Sequence, residues 1–401
     1  MAVDYQQTLN PANGLARSVR VLRPDGSTNL LWTVAVDIGQ ERPDEADAGI
    51  DMSWVGAAGI RRAPTLARAA GEAVERSALI PGTKLPAGDG FPMAPRGASW
   101  GDISVATDLP LYTGTRYSGD GATAAVAVPA AAVDFPPLPG VTDLFDPGPS
   151  GTAAGVDLTS AANSAAKEII ERSSAMLGWA QPEGALRYAL RDEAFGRQAL
   201  DLGSVAAAQG VELEVIRLEE PHGHAVWMVV AIDGVQGVVG AGLGLERDPS
   251  IGVLRAVQES LQIRSLLINM KSFEGEKAVS LPVANEMDRA RYWASDASIG
   301  RIRGWLARIP RAERFAGAAE PPHVKGKNAA WLESLPEHTV VDLTPRLPPA
   351  IRDMGWCVVK IFCDTLQPLR MSDALEWNVL HRGSLSGPGG LQANVLPHPF
   401  I

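Results

Sequence analysis

GAAGIRRAPTLARAAGEAVERSA, residues 56–78, and GTAAGVDLTSAANSAAKEIIERSSA, residues 151–175, share one pattern: Ala-Ala-Gly stands 13 positions before the first glutamate of Glu-x-x-Glu-Arg-Ser. A match of spacing as well as residue type points to a duplicated unit that leads from a loop into a helix. On a helix, Glu72 and Glu75 lie three residues apart and Arg76 follows at the fourth, so all three project from one face within a single turn. Glu168, Glu171 and Arg172 repeat the arrangement. Two carboxylate pairs brought face to face repel unless cations sit between them, and hard oxygen ligands are what Mg²⁺ accepts. The arginines can then neutralise phosphate oxygens with a planar pair of donors. One such motif alone is common on solvated helix faces, because Glu and Arg are good helix formers. The second copy, however, sits among Ala161, Ala162, Ala165, Ala166, Ile169 and Ile170, which predicts carboxylates that are partly enclosed.

The rest of the chain fits a mixed α/β (α+β) protein built around this duplicated strand, loop and helix unit. Strands are expected over VRVLRP and WTVAVDI within residues 19–40, joined at Asp25-Gly26, and a helix runs from Pro64 to about Leu79. ISVATDL and TAAVAVPAAAV are further strand candidates, with Pro129 confining the second to an edge or an end. A second helix is expected from about Thr159 to Leu177 and another over 183–209, followed by a hairpin of VELEVIRLE and AVWMVVAID. The glycine-dense GVQGVVGAGLGLERDP reads as a close-packed turn feeding the helix SIGVLRAVQESLQIRSLLI. Helices fill 283–310, and VVDLT, a short helix near 346–353 and WCVVKIFC close the core. No breaker-rich stretch is polar or long enough to be a linker, so one domain is expected over 1–401, with a core at 19–382 and a Gly/Pro-rich tail at 383–401.

Composition narrows the function. The chain has 401 residues, 46 % of them hydrophobic, and a formal charge of −10, so adhesion to nucleic acid or an anionic membrane is disfavoured. Aromatic residues are only 6 % and are not interleaved with basic ones, which leaves a base-stacking surface unsupported. No secretory signal and no apolar run of about 20 residues is present, and Cys357 and Cys363 fall on one face of a strand as buried thiols, so a cytoplasmic location is expected. Gly240-Ala-Gly242-Leu-Gly244 lacks the third glycine and the later acid of a dinucleotide fingerprint. His222 and His224 lack companions at zinc spacing and read as a hairpin turn. There is no Gly-x-Ser-x-Gly elbow for a serine hydrolase.

With these motifs the chain resembles the YcaO family over nearly its whole length. The resemblance runs through both Ala-Ala-Gly and Glu-x-x-Glu-Arg elements, Trp100, VAVPAAAV, Ser150-Gly151, Asp248-Pro249, Arg255-Ala-Val-Gln-Glu259 and the LPHPF end. It implies the family fold and ATP- and Mg²⁺-dependent activation of a backbone amide in a peptide. A nucleophile adds to the carbonyl, the oxygen is phosphorylated, and loss of phosphate leaves the modified bond. Carried over by position, Glu72, Glu75, Glu168 and Glu171 are implied metal ligands. Glu72, Glu75 and His398 are implied catalytic groups. Arg76, Glu168, Glu171, Arg172, Arg255 and Glu259 are implied nucleotide contacts, with Gln262 a lesser candidate; Arg68, which the family does not carry, is expected either to add a phosphate contact or to occupy the site.

Departures accompany the match. Arg68 stands where the family carries a serine four residues before the first glutamate, and Ala153, Val156, Ser160 and Ser164 replace polar and acidic groups of the second element. The chain ends Pro397-His398-Pro399-Phe400-Ile401, without the last proline of a Pro-x-Pro-x-Pro end, and His398 is there either a general base or a frayed residue. The expected function is a cyclodehydratase that forms azolines from Cys, Ser or Thr of a ribosomally made precursor peptide. Because strands begin by residue 19, a ThiF-like leader-binding partner is expected as a separate chain, and a homodimer is a further candidate assembly. The alternatives are a YcaO-fold subunit with a degenerate ATP site that binds peptide or serves structure, or a thioamide- or amidine-forming enzyme.

Overall fold

Small residues at two strand ends decide how the repeated units fold. The computed structural model describes residues 3–39, 53–81, 85–103, 109–136, 144–219, 225–313, 315, 331–379 and 396–400. The strands are β1 (Ser18–Leu22), β2 (Trp32–Asp37), β3 (Trp54–Gly59), β4 (Leu111–Tyr117), β5 (Thr123–Pro129) and β6 (Thr152–Gly155). They continue with β7 (Leu186–Ala189), β8 (Val211–Glu219), β9 (Ala225–Asp233), β10 (Val238–Leu245), β11 (His338–Asp342) and β12 (Cys357–Cys363). Six helices have eight residues or more: α2 (Arg62–Leu79), α4 (Leu158–Ala180), α5 (Arg197–Ala208), α6 (Pro249–Glu274), α7 (Glu286–Trp293) and α8 (Ala297–Ala307). Short turns α1 (Tyr5–Thr8), α3 (Ala130–Val133) and α9 (Pro349–Asp353) complete the set among the described residues.

The repeat is a strand followed at once by a helix. Ala57-Ala58-Gly59 ends β3 and Ala153-Ala154-Gly155 ends β6. A Cβ on Gly59 would lie 2.7 Å from Thr65 Oγ1, and one on Gly155 would lie 2.4 Å from the Ala161 nitrogen. Each glycine therefore lets the first turn of its helix fold back against the strand it has just left. The second helix is started by a capping box, in which the Asp157 carboxylate accepts the Ser160 amide and the Ser160 hydroxyl accepts the Asp157 amide. Pro249 at the start of α6 and the Asp248 carboxylate that accepts the Ser250 amide do the same work there.

Three antiparallel sheets result, in the orders β1-β2-β3, β10-β9-β8-β7 and β5-β4-β11-β12-β6. Helix α2 packs on β2, β3 and β6, while α4 packs on β6 and β12, so the short strand β6 is shared by both repeated helices. Alternate residues of β12 feed different cores: Val358 and Phe362 join the cluster around α2, whereas Val359, Ile361 and Cys363 join the one around α4. The first and second sheets are tied by Arg264 of α6, buried with Asp233 at 2.6 Å and donating to the carbonyls of Ser27 and Thr28.

Several expectations change. The helix expected over 183–209 is instead a 3₁₀ turn, strand β7, a second 3₁₀ turn and then α5, because Pro182 and Gly184 interrupt the pattern and Gly196 takes φ of 78°. The glycine-dense segment is strand β10 rather than a turn. A Cβ on Gly240, Gly242 or Gly244 would meet backbone of α6 at 2.4, 2.3 or 2.1 Å, so the glycines are there to let a helix lie directly on a strand. Strands β3 and β6 carry Gly and Ala where a strand pattern normally carries branched residues, and no strand was expected at them; nor was one expected at β4, although its Thr and Tyr residues suit a strand. Cys363 is buried but Cys357 is only half-buried, and both are free thiols. Pro129 does sit at the end of an edge strand. ISVATDL, His222, His224 and residues 383–395 of the tail lie largely or wholly outside the described residues. No helix among the described residues is long and apolar enough to cross a membrane.

The seam between α6 and β10 gives a direct test. Gly242→Ala is expected to cost about 1–3 kcal/mol through overpacking against the Ala256 carbonyl, read as a lower midpoint in urea denaturation; an unchanged midpoint would mean that the helix can step away from the strand freely.

Candidate functional site

Three helices point their polar faces into one cavity of about 840 Å³, lined in part by Glu72, Glu75 and Arg76 of α2, Glu168, Glu171 and Arg172 of α4, and Arg255 and Glu259 of α6. Strands β2 and β3 supply a further wall. Both repeated motifs and the third element are thus brought together, from positions nearly 190 residues apart. Arg68 and Gln262 also line the space.

Each acid has a defined partner. Arg76 Nε sits 2.8 Å from Glu72 and 3.8 Å from Glu75, and Arg172 Nη2 sits 2.7 Å from Glu168. Glu168 also accepts the Gly151 amide at 2.9 Å, and Arg172 donates to the Ser150 hydroxyl at 2.7 Å. Glu171 accepts the Leu245 amide and Glu259 the Leu243 amide, at 2.6 and 2.7 Å. Those two amides lie on the edge of β10 that no strand covers, so the glutamates complete the edge. Gln262 does likewise for β3, accepting the Ala58 amide at 2.9 Å.

The electrostatics show acids held close together. Burial, then Glu72 and Glu168, push the Glu75 carboxyl well above the usual range. Burial, then Glu171, raise Glu259 to about 7. Burial also raises Glu171, against the pull of Lys167 and the Leu245 amide. Burial opposes the charge on Arg76, yet Glu72 and Glu75 outweigh it and raise its pKa. One turn before Glu72 on the same helix, Arg68 is lowered by burial and by Arg255. Its guanidinium donates to the Ala58 carbonyl and lines the cavity, so it is anchored rather than plugging the space. Among the described residues no three His, Cys, Asp or Glu side chains are gathered closely enough to form a preassembled metal cage. The hard-oxygen donors nevertheless fit Mg²⁺, since the carboxylates of both motifs line the same cavity.

The departures fall in different places. Val156 is exposed and Ser160 caps α4, so neither lines the cavity, whereas Ala153 and Ser164 do. Sequence reasoning missed Lys167, whose ammonium shares Glu246 with Arg255, and Lys360, fully buried in the middle of β12. Lys360 left a signal, a lone charge in VVKIFC; Lys167, on an ordinary helical run, left none. The chain end is not frayed. His398 is 0 % exposed, its Nε2 lies 2.8 Å from the Arg370 carbonyl, and Arg289 and Trp293 donate to its own carbonyl. Burial, then Arg289 and Arg370, hold its imidazole well below the usual value, and it is not among the residues that line the cavity. That geometry replaces the expected general base with a residue that fastens the chain end, leaving Phe400 on the cavity wall.

A family model described as YcaO cyclodehydratase, ATP- and Mg²⁺-binding, matches residues 102–367, about two-thirds of the chain. The chain belongs to the YcaO family. ATP and Mg²⁺ are the cofactors of that family. The matched region contains the second and third elements of the cavity, and the first lies before it. A heterocyclase in complex with substrate and cofactor superposes with TM-score 0.66 and 17 % identity, over 91 % of this chain and 52 % of that one. YcaO from Methanopyrus kandleri bound with AMPPCP and Mg²⁺ gives TM-score 0.59 and 17 % identity over 91 % of both chains. The E. coli microcin synthetase McbBCD complex with pro-MccB17 bound gives 0.60 and 11 % over 87 % of this chain and 88 % of that one. The chain thus spans about half the length of the heterocyclase and most of the other two; identities this low speak for the YcaO fold alone. No curated protein matches the chain by sequence.

The cavity predicts a pH effect in metal-free protein. A carboxyl raised from 4.5 to about 7 stabilises the fold fully below pH 4.5 and loses that contribution as pH rises to about 7. Glu259 opens onto cavity solvent, which limits the effect to about 1 kcal/mol. With EDTA present, Glu259→Gln should therefore lose less thermal stability than the parent between pH 5 and 7.5; parallel melting curves across that range would contradict the assignment.

Proposed function

We propose that the chain is an ATP- and Mg²⁺-dependent cyclodehydratase that forms azolines from Cys, Ser or Thr in a ribosomally made peptide. It would work in the cytoplasm with a separate leader-binding protein. The observation that carries the reading is the convergence of both Glu-x-x-Glu-Arg faces and Glu259 on one cavity large enough for a nucleotide. Membership of a peptide-modifying, nucleotide-using family supports it.

Mg²⁺-ATP, when bound, supplies the phosphoryl group that turns an amide oxygen into a leaving group. Glu72, Glu75, Glu168 and Glu171 are the oxygen donors for the cation. Arg76 and Arg172 hold Glu72 and Glu168, and their guanidiniums are the groups that would exchange those carboxylates for phosphate oxygens. Arg255 and Arg68 extend the positive wall for the rest of the polyphosphate. Glu259 and Glu171, fixed by β10 amides, keep α4 and α6 at constant separation while this exchange occurs.

Incubation with ATP, Mg²⁺ and candidate precursor peptides should remove one water per modified residue, read by mass spectrometry. Glu72→Gln and Glu171→Gln should each lower turnover by about 100-fold or more with circular dichroism unchanged. Full activity in both would remove these residues from the site, and nucleotide binding without any peptide modification would favour a binding subunit.

A further inference from the structure

We infer that Glu246 and Lys167 are positioning residues for Arg255: Glu246 competes with nucleotide phosphates for the Arg255 guanidinium, and Lys167 takes over Glu246 when Arg255 turns to them. The inference rests on the reading of the cavity as a nucleotide site and concerns how tightly that site holds its phosphates.

One oxygen of Glu246 is shared by two cations. Lys167 Nζ of α4 lies 2.5 Å from Glu246 Oε1, and Arg255 Nη1 of α6 lies 2.9 Å from the same atom. Arg255 lines the cavity, whereas Glu246 and Lys167 are not among its lining residues. The two cations also differ in exposure, 15 % for the Lys167 side chain against 55 % for that of Arg255. A guanidinium half in solvent and tied through one nitrogen is drawn away at small cost, because exposed ion pairs contribute little. The enclosed ammonium is the partner that stays, since its charge has little water to turn to. The acid between them is held in place. Glu246 directly follows β10, whose last amide, that of Leu245, donates to Glu171 at 2.6 Å, and Glu171 stands one turn after Lys167 on α4. On the other side β10 lies directly on α6, where a Cβ on Gly244 would come within 2.1 Å of the Gly252 carbonyl. Two residues after Glu246, the Asp248 carboxylate caps α6 by accepting the Ser250 amide. Glu246 is thus fixed at the junction of α4 and α6, and Arg255 is the free end of the cluster. One carboxylate balances one of its two cations, which leaves the second charge for an incoming anion. With Arg255 as its only partner, Glu246 would be left partly buried and unpaired whenever the guanidinium moved to a phosphate. Lys167 removes that cost, so the Glu246 latch can open without stranding a charge.

The test is calorimetric titration of the full chain with AMPPCP in the presence of Mg²⁺, alongside thermal melting. Glu246→Gln frees Arg255 and should lower the Kd by about three- to fivefold. Lys167→Gln leaves Glu246 to Arg255 alone and should raise the Kd by a similar factor, while Lys167→Arg should restore the parent value. Because the glutamine variants also change the charge around the cavity, the deciding measurement is made on Arg255→Gln, where adding Glu246→Gln should leave the Kd within about twofold. The full gain on that background overturns the inference, by showing that Glu246 acts through its field and not through Arg255. An unchanged or higher Kd in folded Glu246→Gln overturns it as well, and both results leave the site reading intact. If Glu246→Gln does not fold, Lys167→Gln decides: weaker binding that Lys167→Arg reverses supports the inference, and unchanged binding overturns it. Failure of both glutamine variants to fold also overturns it, by assigning the cluster to packing. A parent protein that binds no AMPPCP with Mg²⁺ overturns the inference and the site reading together.

Discussion

The closest contact between a helix and a strand in this fold has no side chains in it, and the cavity depends on that contact. Helix α6 lies on Gly240, Gly242 and Gly244 of β10 so tightly that a single added carbon would run into its carbonyls and amides. Because the helix is so near, Glu259 reaches the free amide of Leu243 and Gln262 reaches the free amide of Ala58. One helix thus closes the open edges of two different sheets. An ordinary helix, standing about 10 Å from a sheet across two layers of side chains, would leave those edges unsatisfied and its acids aimed elsewhere.

The same economy governs the acids. Six glutamates line one cavity, and the five on α2, α4 and α6 are each held by an arginine, a backbone amide, or both. Pairing of this kind makes the empty site tolerable, since an isolated buried carboxylate would be expensive. It also means that ligand entry is an exchange of partners rather than the filling of a ready cage, which fits the absence of a preformed three-ligand cluster among the described residues.

What was legible in the sequence follows from where side chains carry the information. The helices α2 and α4 show themselves through periodicity, and α6 through Asp248-Pro249 at its start, and their acids fall on the faces that the spacing implies. Their common destination was legible only because the motif occurs twice. Strands β3, β6 and β10 were not legible, since their glycines and alanines are selected by the approach of a helix, a tertiary cause that leaves no alternating pattern. Ser160 illustrates the converse error: its type drew notice as a lost site residue, but its place in Asp-x-x-Ser before an apolar helix marks a cap. The chain end misled for a related reason. A proline- and glycine-rich terminus normally frays, whereas here the carbonyls of Arg370, Met371 and His398 converge on buried Arg289, which no local pattern encodes.

The two copies of the motif are not equivalent, and the difference suggests a division of labour. In the first, among the described residues, Glu72 and Glu75 are held by Arg76 of their own helix turn. In the second, Glu168 and Glu171 are also fixed by amides of the 148–151 loop and of β10. A side chain held only by its neighbour on the same helix can change rotamer at small cost, while one that completes a strand edge cannot leave without stranding a buried amide. The second motif is therefore the rigid half of the cavity and the first the adaptable half. A ligand that reorganises the acids would draw mainly on α2, with α4 and α6 as the fixed reference against which it moves.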